Sequence, residues 1–496
     1  MNITMKKIYT VLPFLFIAIS CSDFLDEKLE ATYSTDNFYK TAAHAELAIT
    51  GAYNAISFNS TNNALWVFGD VVSDDAVKGG LSGDLSDAQF LEQFNYSRAN
   101  EFLDKIWRQY YEGINRANFL IHYVPDIEMD EARKTEIISE AIFIRAYLYF
   151  NLVNIFGDIP LRIEPTLNPD QSALATSTVE EIYTQIDKDL TTAIDGLKVS
   201  PTKVGGASKG SAYGLLAKSK LFQSEWQASL DAITSLEALG IYSLEEVYRN
   251  NFMDSTQNNG ESIFEIQHLN GQTPSLGSFL NQYFSPASEN GYYFDQPTQD
   301  LVDEFEVTPG NVVDPRLDYT VGREGHKWLN GEDFDPSWSS TGYLSKKHIQ
   351  PLREIPSGKK GDAGMNYVFM RYAEVLLMKA EALNELGQTA NALVPLNAVR
   401  KRARESYLYD EGIEGFGTVP ANLLPDVVSN SQATVRDAIR HERRVELGME
   451  FHRFFDLTRY GKAAAEAALG DDGFVYEENR YFLIPQSEVD TNPLIQ

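Results

Sequence analysis

The sequence predicts a mainly α fold: tetratricopeptide-like helix hairpins, interrupted by one long loop-rich stretch with few short strands. Three observations carry this. Apolar residues recur at helical spacing through most of 36–240 and again within 371–460. Small and large residues alternate over 371–404 as in two helices that approach closely. Between these parts, 242–367 is rich in Gly, Pro, Asn and Ser, which break both the helical and the strand period.

Taken in order, 36–56 places Ile49, Ala52, Tyr53 and Ile56 on one helical face, and 101–124 repeats Phe102, Ile106, Tyr110 and Ile114 every four residues. The stretch 136–156 is apolar nearly all round, which predicts a helix in the middle of a bundle. Gly157 and Pro160 end it. Over 178–197, Val179, Ile182, Ile186, Leu190 and Leu197 share a face, and 208–224 with 229–239 form a further pair. In 371–386 and 389–404, Ala380, Leu383, Gly387, Ala392, Leu396 and Val399 carry the repeat spacing. The run Ser262-Ile263-Phe264-Glu265-Ile266 reads as a short strand inside the irregular region, and 57–96 is a shorter region of the same irregular kind.

The chain begins as an export signal. Lys6 and Lys7 precede an apolar stretch over 8–19, too short for a spanning helix, and Cys21 follows at the junction with an acidic mature start. Residues 1–20 are therefore expected to be a lipoprotein signal peptide and 21–496 one domain. The helical scaffold occupies about 36–240 and 371–460; a loop-rich region expected to carry function occupies about 242–367, with contributions from 57–96. Cys21 is the only cysteine, so no disulfide forms within the chain. It reads as a site of lipid attachment; the alternative is a buried cysteine after an uncleaved segment.

The chain carries 42 Lys+Arg against 71 Asp+Glu, a formal net charge of −29, which excludes a general nucleic-acid binder. Catalytic motifs are weak. Gly206-Ala207-Ser208-Lys209-Gly210 matches the spacing of a nucleophile elbow, but a polar, turn-like stretch precedes it, and Ser208 reads as a helix N-terminal residue. His441-Glu442 lacks the second histidine of a zinc-protease helix. Asp74-Asp75, and Glu332-Asp333 with Asp335, lack the spacing of a calcium loop and read as solvated charge. No metal site and no cofactor are expected.

Four blocks in order resemble the SusD/RagB family of outer-membrane lipoproteins. The first runs from Ala141-Ile142-Phe143-Ile144-Arg145-Ala146-Tyr147 to Phe156-Gly157-Asp158-Ile159-Pro160-Leu161. The second is Arg371-Tyr372-Ala373-Glu374 to Ala380-Glu381-Ala382, with Leu396-Asn397-Ala398-Val399-Arg400. The third is Glu442-Arg443-Arg444-Val445-Glu446-Leu447 with Phe451, Arg453, Phe454, Asp456, Leu457 and Arg459. The fourth is Ile484-Pro485-Gln486-Ser487-Glu488 with Asn492-Pro493 and Gln496. Cys21-Ser22-Asp23-Phe24-Leu25-Asp26 is similar to the family's mature start.

The resemblance implies a SusD-like α-helical fold and a non-enzymatic role: capture of an oligo- or polysaccharide at the outer-membrane surface and delivery to a SusC-like TonB-dependent transporter. The anchor would be lipid on Cys21. A peptide or glycopeptide cargo is the alternative, and a glycoside hydrolase a more remote one. Arg145, Glu374, Arg400, Glu442, Arg443, Glu446, Arg453 and Asp456 lie among core residues and are expected to be paired charges that tie helices together. Sugar recognition needs aromatic planes for C–H faces and polar groups for hydroxyls. Trp107 and Trp226 fall in helices as packing residues. Trp328 and Trp338, with Trp66, are the expected stacking platforms; Tyr292 and Tyr293 form an adjacent pair; Asp74, Asp75 and Arg353 are the expected hydroxyl partners.

Overall fold

Successive helices form the scaffold of the computed structural model, which describes residues 38–168 and 171–495. Residues 1–20, expected to be a signal peptide, and Cys21 and Gln496 lie outside the described residues. The helices are α1 (Ala42–Asn54), α2 (Glu101–Tyr123), α3 (Glu131–Phe156), α4 (Val179–Gly196), α5 (Lys209–Phe222), α6 (Trp226–Glu237), α7 (Tyr372–Glu385), α8 (Thr389–Tyr409) and α9 (Gln432–Leu447). Each packs on the next, from α1 on α2 to α8 on α9. The shorter α10 (Arg453–Tyr460) and α11 (Lys462–Leu469) follow. The fold is mainly α, as the periodicity predicts. Among the described residues no helix is long and apolar enough to cross a membrane.

Local chemistry explains the ends of these helices. The α3 helix begins five residues before the predicted start, because the Asp130 side chain accepts from the Arg133 N–H and the polar first turn hides the apolar signal. From Glu136 to Phe156 only Ile138 and Asn154 escape burial, so α3 is the central helix. It stops at Gly157, whose φ of 72° favours glycine; a Cβ there would stand 2.8 Å from the Tyr481 ring. Thr178 and Glu181 close a capping box on α4. Ser208 caps α5 by accepting from the Ser211 N–H, which confirms its structural reading.

Helix α6 packs directly against α7, although more than a hundred residues separate them in sequence. The intervening chain is thus a single excursion from the helical array. Strand β2 (Ser262–Ile266) at its start pairs antiparallel with β4 (Tyr367–Arg371) at its end, Ser262 opposite Arg371 and Ile266 opposite Tyr367. A second ribbon ties the excursion to the early loops: β1 (Ala76–Gly79) pairs with β3 (Phe294–Pro297), Ala76 opposite Pro297. A third pairing, Val321–Gly322 with Leu344–Ser345, closes the base of a long loop that carries Trp328 and Trp338.

The charged family blocks form buried ties, as expected. Arg145 on α3 grips Asp189 on α4 with two bonds of 2.8 and 2.7 Å and donates to Asn118 on α2 at 2.8 Å. Glu446 on α9 receives Arg316 at 2.9 Å together with Arg371 and Arg402, joining the excursion, β4 and α8. Glu442 bonds Arg316 at 2.6 Å and Arg400 at 2.8 Å, and Arg443 reaches Glu374 and Asp456. Burial alone would raise the Glu446 carboxyl, but Arg402, Arg371 and Arg316 hold it well below the usual carboxylate range. Glu374 is likewise pushed up by burial, yet Lys218, His452 and Arg443 bring it down to about 2. These contacts are fully desolvated and multidentate, so losing one partner strands the others.

Candidate ligand-binding site

The turn before β3 presents the first part of the site. Asn290 at φ 65° and Gly291 reverse the chain, the Tyr292 N–H donates to the Gln282 carbonyl, and the Tyr293 carbonyl accepts from the Gly80 N–H. Tyr292 is 45% exposed and rests on a floor of Phe279, Tyr283 and Phe294, with ring centres 6.0–6.5 Å away. Tyr293 is half-buried beside it.

The second part is the loop above the 321–345 pairing. Trp328, Phe334 and Trp338 pack edge-on and tilted, with centres 5.3–6.1 Å apart. Trp328 is 3% exposed, while Trp338 is half-buried at the end of the Pro336–Trp338 turn, which Asp335 caps through the Ser337 N–H. The Trp328 indole Nε1 donates to Glu289 Oε1 at 2.9 Å, and Glu289 belongs to the turn that carries Tyr292. That bond joins the two parts. Arg353 is exposed and donates from Nη1 to the Asn330 carbonyl at 2.6 Å, bracing the same loop.

Trp328 and Arg353 line a cleft of about 1670 Å³. Its other walls come from 249–255, from 311–319 with Tyr319, and from 407–420 with Tyr407. The last of these lies outside the predicted loop regions. Gly412, Gly415, Gly417 and Pro420 carry the composition signal of a loop, but one that directly follows the helical period of α8 and is short. Tyr319, Tyr407 and Lys346 have no sequence pattern that marks them as cleft residues.

Three expected contact residues are corrected. Trp66 is 1% exposed, caged by Phe102, Tyr283, Phe284 and Phe294 at 5.4–6.3 Å, and presents no face to a ligand. Its neighbours Ala64, Leu65, Val67 and Phe68 are all core residues. Asp75 is 1% exposed and bonded to Arg444 Nε at 2.8 Å; burial pushes its carboxyl up despite the Arg444 and Arg453 guanidiniums. Asp74 lines a separate cleft of about 720 Å³, but both its oxygens are held by Arg453 at 2.7 Å, and Arg444 lies at 3.0 Å. Burial raises its carboxyl and the two guanidiniums more than offset this, leaving it below its ordinary value. These carboxylates are ties of the same kind as Glu446. Among the described residues no group of three or more His, Cys, Asp or Glu side chains is arranged to hold a metal ion.

Comparison with known proteins agrees with this architecture. A family model described as the SusD family matches residues 260–496, and one described as starch-binding associating with outer membrane matches 23–221. SusD-like protein P38 of Formosa agariphila is 27% identical over 484 residues, covering 92% of this chain and 91% of the relative. A SusD-like protein of Bacteroides ovatus is 26% identical over 491 residues, covering 93% of this chain and 83% of its own. Among solved structures, a laminarin-binding SusD-like protein aligns with a TM-score of 0.76 at 29% identity, over 92% of this chain and 99% of that one. A SusD-like carbohydrate-binding protein of Bacteroides fragilis aligns at 0.79 and 25% identity, over 92% and 100%. The chain belongs to the SusD/RagB family.

Proposed function

We propose that the protein is a non-catalytic glycan-binding lipoprotein of the outer-membrane surface, which captures an oligo- or polysaccharide and delivers it to a SusC-like TonB-dependent transporter. The observation that carries this reading is the aromatic group of Tyr292, Tyr293, Trp328 and Trp338, of which Trp328 lines the large cleft. Tyr292 and Trp338 offer partly exposed ring faces to sugar C–H groups, and Arg353 offers donors to hydroxyls. At about 1670 Å³ the cleft exceeds the ~300–1,000 Å³ typical of small-molecule pockets, which suits several linked sugars better than one. The laminarin-binding relative supports the same ligand class.

A hydrolase would need two carboxylates free to serve as acid and base or nucleophile. In this cleft Asp318 is engaged by Arg323 at 2.8 Å and His326 at 3.1 Å, Asp254 accepts from the Gln257 and Gln350 amides, and Asp410 takes the Tyr319 hydroxyl. Three of the five carboxylates that line the cleft are thus committed, which favours binding over turnover. In this reading Cys21 carries the lipid, and removal of the leader makes it the first residue of the mature protein.

The test is a binding screen of the chain from Ser22 onward against polysaccharides and a peptide panel, by native affinity gels. Tyr292→Ala with Trp338→Ala should abolish retention on the bound glycan while shifting the melting temperature by only a few degrees. Undiminished retention of that double variant refutes the site. Binding to peptides alone refutes the glycan.

A further inference from the structure

The cleft is not uniform in charge. Lys346 and Lys347 are adjacent, and both are buried, at 8% and 0% exposure. Lys347 is closed by Glu450 at 2.7 Å. Lys346 instead donates to two main-chain carbonyls, of Asp318 at 2.8 Å and Lys327 at 2.9 Å, and among the described residues no carboxylate lies within ion-pair distance of it. It lines the cleft. Arg249, which also lines the cleft, is exposed, and its side chain makes no hydrogen bond or ion pair among the described residues. Arg323 completes the group, bonded through Nε and Nη2 to Asp318 alone.

The three cations feel one another. Burial drives the Lys346 ammonium down to about 8; Asp318 pulls it up, while Arg323 and Arg249 push it down further. Asp318 pairs with Arg323, and His326 competes for it, while Lys346 and Arg249 have no carboxylate partner among the described residues. The remaining cleft carboxylates do not close the group. Asp254 and Asp410 are satisfied by neutral donors, Glu354 lies 3.8 Å from Arg353, and Glu414 is exposed on the far loop. In a chain of net charge −29, two cleft cations without a carboxylate partner, Lys346 and Arg249, are a feature that neutral sugars do not require.

We infer that this end of the cleft, formed by Arg249, Arg323 and Lys346, binds an anionic substituent of the glycan, a uronate carboxylate or a sulfate ester. The inference rests on the glycan-binding reading above. A guanidinium fork matches either oxyanion, and a buried ammonium with two fixed carbonyl acceptors has a further N–H to direct at the ligand. Ring stacking at the aromatic group that Trp328 joins to the cleft would then hold the sugar backbone, while Arg249, Arg323 and Lys346 select for its charge.

The experiment is titration calorimetry of the chain from Ser22 with three probes of similar length: a neutral β-glucan oligosaccharide, an oligouronate and a sulfated galactan oligosaccharide. The expected result is tightest binding to one of the acidic probes, with affinity falling as salt is raised, and the preferred probe tells carboxylate from sulfate. Arg249→Ala, exposed and unpaired, should lower that affinity roughly tenfold without changing the melting temperature, and Lys346→Met should lower it as well. Two results overturn the inference while leaving the glycan reading intact: binding of the neutral glucan as tight as of either acidic probe, or unchanged affinity of Arg249→Ala for the preferred acidic probe. Failure of all three probes together with binding to peptides overturns both.

Discussion

The seam between α9 and the excursion and the wall of the cleft use the same side chains to opposite ends. In the seam, Glu446 gathers Arg316, Arg371 and Arg402, and Glu450 gathers Arg371 and Lys347, so every charge is answered inside the protein. A few residues away, Arg323 alone of three cleft cations has a carboxylate partner, Asp318, while Lys346 and Arg249 have none among the described residues and line open volume. The lesson is that residue type does not separate scaffold from site; the count of partners does. A closed set of ion pairs has nothing left for a ligand, and an open set has.

Breaking the closed set should have the largest effect. Glu446→Ala leaves three buried guanidiniums without their common partner, and is expected to cost about 3–5 kcal/mol or to prevent folding, as read by urea denaturation. A loss under about 1 kcal/mol would mean that the seam is not closed in the way described.

A third category sharpens the contrast: a buried carboxyl with no partner at all. Both Asp295 carboxylate oxygens are buried without a hydrogen-bond partner among the described residues, next to Asp70 and Asp75. Burial and Asp75 raise the Asp295 carboxyl well above its ordinary value, so the folded state holds a proton that the unfolded state releases. Its contribution to stability is therefore full below about pH 4 and is lost as pH rises through the raised value. Asp295→Asn keeps the shape, and asparagine suits the φ of 55°. The variant should gain roughly 1–3 kcal/mol at pH 7 and little at pH 4, checked by melting temperature against pH. Equal gains at both pH values would show that the carboxyl is not the cause.

The smallest effect concerns a residue that belongs to neither set. Ser208→Ala removes the α5 cap and should cost about 1 kcal/mol, with glycan affinity unchanged. Lost binding without lost stability would return Ser208 to the functional residues.

Much of this contrast was legible in the chain. The buried face of α3, its stop at Gly157, the strand at Ser262–Ile266 and the structural role of the Arg and Glu blocks all follow from local pattern. What failed depended on distant partners. Trp66 looked like a loop tryptophan because 57–96 is irregular, yet its apolar neighbours make it core and the rings that cage it come largely from 283–294. Asp74 and Asp75 looked solvated because Arg453 and Arg444 lie about 370 positions away. Tyr292, Trp328, Trp338 and Arg353 were named from composition, but the Glu289 bond that gathers the first two parts, and the 407–420 wall, are products of tertiary structure.

The β2–β4 pairing at the base of the excursion has a consequence for change. Because the chain leaves and rejoins the array through one hydrogen-bonded neck, α6 and α7 remain in contact whatever length of chain lies between them. Loop-closure cost rises only slowly with length, about 0.6 kcal/mol per doubling, so insertions beyond the neck are inexpensive to stability. The excursion is in this sense a socketed attachment. Its outermost loops, beyond the β1–β3 ribbon and the Arg316 and Lys347 ties, can vary in length while the helical frame stays unaltered.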